Sequence, residues 1–144
     1  MTPTGRLFAM SLIIVALLAG ALQVRAEPVT VAGPAEVRAL IDQGAKVVDI
    51  RRADEWRETG VIDGSILLTA IDADGRLVPG FPQALADAVG RDEPVVVICR
   101  SGNRSASITR MMSEGAGFTH VVDAGGGIRA WLGAGQPVAP CPSC

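Results

Sequence analysis

Pro94-Val95-Val96-Val97-Ile98-Cys99-Arg100-Ser101-Gly102-Asn103-Arg104-Ser105 is the stretch on which the fold turns. Residues 95–98 are apolar at every position and β-branched, the pattern of a short strand covered on both faces. Beyond it, residues 104–114 carry Ile108, Met111 and Met112 at helical spacing, and Gly115 and Gly117 close the segment. A buried strand that turns directly into a helix is the building unit of a parallel α/β sheet.

The segments on either side repeat that unit. Residues 46–50 (Lys46-Val47-Val48-Asp49-Ile50), 65–68 and 120–122 read as further short strands. A helix is expected over 34–43, with Gly33 before it, Pro34 at its first position, Val37, Leu40 and Ile41 on one face and Gly44 as its stop. One or two helical turns are expected over 53–58, an amphipathic helix over 81–89 stopped by Gly90, and a short helix carrying Trp131 after Gly125-Gly126-Gly127. Strand and helix in regular alternation predict an α/β domain of three layers around a central, mostly parallel sheet.

Composition narrows the chemistry. The chain has 144 residues, 49% of them hydrophobic, and a formal net charge of -2. That balance excludes a nucleic-acid binder built on bulk positive charge, and the apolar share excludes a disordered chain. Three cysteines are too few for a disulfide-dense scaffold, and with one histidine they make a poor zinc set, so neither a metal nor a cofactor is expected. Residues 1–26 read as a secretory signal peptide. Arg6 precedes an apolar run from Leu7 to Leu22, and Val24-Arg25-Ala26 offers a small residue before the cut. The competing reading is an uncleaved anchor, because no charge interrupts Leu7 to Val24. Cleavage predicts a periplasmic or secreted protein, free of the membrane, with a domain over 27–138 and a Cys-x-x-Cys tail over 139–144.

Parallel α/β sheets bind their ligands at the carboxyl ends of their strands, and Cys99 sits at the end of the most buried one. Gly102 and Asn103 let the following loop curl, so that its amide N–H groups turn inward as an anion nest. Arg100 and Arg104 add two positive charges, and the next helix adds the dipole of its N-terminus. A thiol in such a field is expected to ionise near neutral pH and to act as a nucleophile without a base. Arg100, Arg104 and the loop amides would then steer an anion and stabilise the departing charge. The lone His120, at a strand start, is read as structural.

Several anchors resemble the single-domain rhodanese-like sulfurtransferases: Val48-Asp49-Ile50-Arg51 with Glu55-Trp56, Gly60 to Ser65, the loop Cys99 to Ser105, and Gly125-Gly126-Gly127 with Trp131 and Pro137. The resemblance spans roughly residues 29–138. It implies a five-stranded sheet flanked by helices, and a cysteine, here Cys99, that takes a sulfane sulfur from a donor as a persulfide. Residues Arg100, Ser101, Gly102, Asn103, Arg104 and Ser105 would be its cradle. The implied partners are a small anionic donor such as thiosulfate and an acceptor that is cyanide or a thiol, on a small molecule or a protein. The chain departs from the family's Gly-His-Ile-Pro-Gly-Ala at Val61, Asp63 and Ser65.

Other readings compete at particular residues. Cysteine-dependent phosphatases resemble one another in placing five residues between Cys and Arg; only four separate Cys99 from Arg104, a smaller loop suited to one sulfur atom. Arsenate reduction would further need a resolving thiol. A module that loads sulfur for a partner without turnover remains open. Asp49, Arg51 and Glu55 either orient the loop or form an ion pair that holds a strand-helix corner. Trp56 and Trp131 read as core or rim packing, with Trp131 a candidate for the pocket mouth. Asp72-Ala73-Asp74-Gly75 is a turn without the later ligands of a calcium loop. Cys141 and Cys144 are expected to close on each other or to serve as a redox pair.

Overall fold

Five short strands alternate with five helices in the computed structural model, which describes residues 28–144; the segment read as a signal, 1–26, lies outside the described residues. In chain order they are β1 (Thr30–Ala32), α1 (Pro34–Asp42), β2 (Lys46–Asp49), α2 (Ala53–Thr59), β3 (Ile66–Leu67), α3 (Phe81–Ala88), β4 (Val95–Ile98), α4 (Asn103–Arg110), β5 (Val121–Ala124) and α5 (Gly127–Gly133). The sheet order is β1-β5-β4-β2-β3, and every neighbouring pair is parallel. A parallel neighbour cannot be reached by a hairpin, so each strand hands the chain to a helix that crosses back over the sheet.

β4 lies at the centre, between β2 and β5, which is why its four residues are apolar without alternation. Each such side chain contributes about 1.5–3 kcal/mol relative to exposure. Successive residues still point to opposite faces. Val95, Val97 and Cys99 therefore join Phe81 and Leu85 of α3 and Ile108 of α4 in one core layer. Val96 and Ile98 join Val37 of α1 and Ile128 and Trp131 of α5 in the other. Cys99 is thus committed to the α4 side of the sheet by the register of its strand.

Three elements differ from the sequence reading. β1 is a fifth strand that the alternation pattern does not announce: it has three residues, and Val31 at the sheet edge is 66% exposed. The helix read over 104–114 is α-helical only to Arg110 and continues as a π-helical turn, Met111–Gly115, whose wider winding sets Met112 into the core. Trp131 is not at a pocket mouth. It is 1% exposed, and its indole Nε1 donates to the Pro137 carbonyl at 2.9 Å, tying the segment after α5 to the core. No helix among the described residues is long and apolar enough to cross a membrane.

Candidate active site

The chain leaves β4 at Ile98 and must turn within four residues to start α4 at Asn103. Gly102 makes this turn with φ at 95°, a left-handed conformation that costs other residues about 1–2 kcal/mol. Its amide donates to Cys99 Sγ at 3.1 Å, and Ser105 Oγ lies 3.3 Å from the same sulfur while donating to the Gly102 carbonyl at 3.1 Å. The loop therefore folds around Cys99 as a cradle of one amide and one hydroxyl, set over the N-terminus of α4, where the first amides lack intrahelical partners. Cys99 itself is 1% exposed, and Ser105 is buried beneath it.

A second loop braces the first from below. The Gly125-Gly126-Gly127 turn ends β5, and α5 begins by donating the Ile128 N–H to the Cys99 carbonyl at 2.8 Å and the Arg129 N–H to that of Arg100 at 3.2 Å. Gly127, at φ 61°, approaches so closely that a Cβ there would lie 2.6 Å from the Arg100 carbonyl carbon and 2.7 Å from the Ser101 nitrogen. Glycine at this position is what allows the two backbones to touch.

The two arginines of the loop have different surroundings. Arg104 is turned to α2: its two terminal nitrogens donate to both oxygens of Glu55, at 2.8 and 2.6 Å. Burial pushes the Glu55 carboxyl up, but the hydrogen bonds from Arg104 and the Arg52 amide, with both guanidinium charges, outweigh it and leave it below the usual carboxylate range. The same pairing raises Arg104, which also feels the Cys99 sulfur electrostatically. Arg104 acts on the sulfur from a fixed position held by Glu55. Arg100 is exposed at the rim, as are Ser101 and Asn103.

Asp49 and Arg51 sit one layer further from the sulfur, both wholly buried. Arg51 donates to both Asp49 oxygens, to the Glu55 and Gly60 carbonyls and to Thr59 Oγ1, so its donors are satisfied and the start and end of α2 are tied to the end of β2. Removing one partner of such a pair typically costs about 3–5 kcal/mol. Of the three candidate supporting residues, Asp49 and Arg51 hold the corner while Glu55 reaches the loop. His120 lies at the opposite end of the sheet: its carbonyl accepts the amide of Val95, the first residue of β4, whereas Cys99 follows the last. Cys141 and Cys144 are joined as a disulfide, and the tail before them is pinned by a two-way backbone pair between Ala139 and Val61. No cluster of His, Cys, Asp or Glu among the described residues could hold a metal ion.

Sequence reasoning did not single out Asp123. It stands on β5, 4% exposed, and burial pushes its carboxyl above the usual range. Its only signal was a charged residue interrupting Val121-Val122-Asp123-Ala124, a run that otherwise reads as core.

A family model described as the rhodanese-like domain matches residues 33–134. The thiosulfate sulfurtransferase GlpE of Pseudomonas aeruginosa is 37% identical over 98 residues, covering 68% of this chain and 79% of its own. The mitochondrial protein HIGH ARSENIC CONTENT 1 of Arabidopsis thaliana is 29% identical over 101 residues, 68% of this chain, which spans only 59% of that protein's length. Among solved structures, a rhodanese-related protein from Thermoplasma volcanium superposes with a TM-score of 0.64 at 28% identity, covering 78% of this chain and 99% of that one.

Proposed function

The chain belongs to the rhodanese-like domain family, and from that premise we propose that it is a sulfurtransferase working through a persulfide on Cys99. The observation that carries this reading is the cradle itself: a buried sulfur that accepts the Gly102 amide at 3.1 Å and faces the Ser105 hydroxyl at 3.3 Å. The Gly102 N–H, donating to Cys99 Sγ, favours negative charge on that sulfur as it attacks. The thiolate attacks the outer sulfur of a donor such as thiosulfate. The donor's S–S bond breaks, and sulfite leaves with the bonding electrons. A thiol or cyanide acceptor then attacks the outer sulfur of the persulfide and returns Cys99 to the thiolate.

The arginines divide this work. Arg100 at the rim meets the anionic donor, and Arg104, fixed by Glu55, supplies a constant positive potential beside the reacting sulfur. Commitment of Arg104 to Glu55 argues against the phosphatase reading, in which that arginine must be free to clamp a phosphate. The N-terminal sequence supports placing the mature protein in the periplasm or outside the cell.

Mass spectrometry after exposure to thiosulfate tests the assignment. One added sulfur on the peptide that holds Cys99, lost in Cys99→Ser and released by cyanide or a small thiol, is the expected result. Turnover that persists in Cys99→Ser overturns it, and loading without release would instead favour delivery to a protein acceptor.

A further inference from the structure

The cavity beside the reactive loop carries both signs of charge. It is a cleft of about 450 Å³ between the first turn of α4, with Asn103 and Arg104, the N-cap of α2 at Arg52, and the loop after β3, with Ile71, Asp72 and Ala73. That volume falls in the range of small-molecule sites, about 300–1,000 Å³. The cleft lies on the side of the sheet to which Cys99 is turned, since Ile71 packs against the core layer that contains Cys99. Asn103 directly follows Gly102, whose amide donates to the sulfur.

Two of these charges have hydrogen-bonding capacity left over. Arg52 gives Nε and Nη2 to Asp54, but its Nη1 makes no hydrogen bond and only faces Glu55 at 3.8 Å. Asp72 Oδ1 accepts the Asp74 and Arg76 amides, which fix the carboxylate in its turn. Its Oδ2 accepts no hydrogen bond and only faces Arg76 Nε at 3.5 Å. A fixed carboxylate beside the loop repels an anionic donor such as thiosulfate, and cyanide carries no group to meet it. A molecule with an ammonium for Asp72 and a carboxylate for Arg52 suits both, and Ile71 and Ala73 offer apolar contact to its carbons.

We propose that this cleft binds the sulfur acceptor and selects an amino-acid thiol, cysteine being the simplest, with its ammonium at Asp72 and its carboxylate at Arg52. The inference rests on the persulfide reading above. The acceptor's thiolate attacks the outer sulfur of the Cys99 persulfide. The S–S bond to Cys99 breaks, and its electron pair stays on Cys99 as the thiolate. The acceptor leaves as its own persulfide, so no external oxidant or reductant enters. Arg104 stays with Glu55, while Arg52 and Asp72 set which thiol is held and take no part in bond making.

The full chain is loaded with thiosulfate, freed of excess donor and unloaded by each of four thiols. Cysteine carries both charges, N-acetylcysteine only the carboxylate, cysteamine only the ammonium, and 2-mercaptoethanol neither. Each thiol is compared with itself in parent and variant, so differences in intrinsic reactivity cancel. Asp72→Asn, which still accepts the turn amides, should slow unloading by cysteine and cysteamine about 5-fold relative to the other two thiols, the upper end for a half-exposed ion pair. Arg52→Gln should do the same for cysteine and N-acetylcysteine. Rates that fall equally for all four thiols, or for none, overturn the proposal. Should either variant fail to fold, L-serine is added to the loaded parent. With a hydroxyl in place of the thiol it should slow unloading by cysteine competitively, and an absence of competition refutes the site. A protein that takes up no sulfur from thiosulfate refutes the persulfide reading instead, so the two failures show separately.

Discussion

Replacing Gly127 by alanine is the sharpest probe of how the reactive loop is held. The residue does not touch the sulfur, yet its backbone lies against the carbonyl of Cys99, the carbonyl carbon of Arg100 and the nitrogen of Ser101, all main-chain atoms that cannot rotate aside. At φ 61° the substitution first meets the left-handed penalty of about 1–2 kcal/mol. The added methyl then has to push the loop away, an overpacking cost of about 1–3 kcal/mol. Together these amount to about 2–5 kcal/mol, which at roughly 4 °C per kcal/mol lowers Tm by about 8–20 °C. The displaced loop is the one that aims the Gly102 amide at Cys99, so the rate of persulfide formation should fall by about 100-fold, as for a misplacement near 1 Å. Thermal unfolding by circular dichroism and single-turnover loading with thiosulfate read the two effects. Gly133→Ala in the same helix is the control: its Cβ meets nothing within 4 Å and its φ is not left-handed. It should leave stability unchanged or raise it by about 0.5–1 kcal/mol. A Gly127→Ala protein with the parent's Tm and loading rate would show that the Gly-rich turn does not brace the loop.

The loop arginines should separate kinetically: Arg100→Ala raises the KM for thiosulfate and weakens its salt dependence, whereas Arg104→Ala lowers kcat and exposes Glu55 as a buried carboxylate without its partner, which steady-state kinetics at several ionic strengths will resolve. Because the folded Glu55 carboxyl is held below its ordinary value of 4.5, its contribution to stability is complete above that pH and is lost as pH falls through the folded value; denaturant titrations below pH 4.5 should show Glu55→Gln losing less stability on acidification than the parent. Joint substitution of Cys141 and Cys144 by serine should leave the intrinsic transfer rate unchanged and slow the recovery of activity after mild peroxide. Equal recovery in parent and variant would assign the disulfide a purely structural role.

What could be read from the chain in advance follows from the range of each interaction. The Cys99 to Ser105 loop was legible because its determinants are contiguous: a strand apolar at every position, a glycine at the turn and a helix behind it. The helices flanked by Gly and Pro were legible for the same local reason. β1 was not, since three residues at an exposed sheet edge owe their strand to pairing with β5 and leave no periodic trace. The break of the helix after Arg110 into a π-helical turn was hidden too, because Met111 and Met112 satisfy either winding. Glu55 was noticed beside Arg51, but its bond to Arg104 spans 49 residues and no spacing rule reaches that far. Asp123 was passed over within a β-branched run, although an acid in a core strand is costly enough to require a reason.

The strand order carries a consequence for how the molecule comes into being. β1 pairs only with β5, so the first strand of the domain finds its partner at the far end of the chain. Such pairing gives a high contact order and, with it, slow folding. Up to β4 the nascent polypeptide can gather a β4-β2-β3 sheet with its helices, but the β4 edge left open for β5 stays open until Val121–Ala124 has been synthesised. The Gly127 turn that braces the reactive loop arrives later still. Cys99 and its cradle therefore leave the ribosome well before the turn that braces them, and the site is completed only after β5 and the start of α5 have been made.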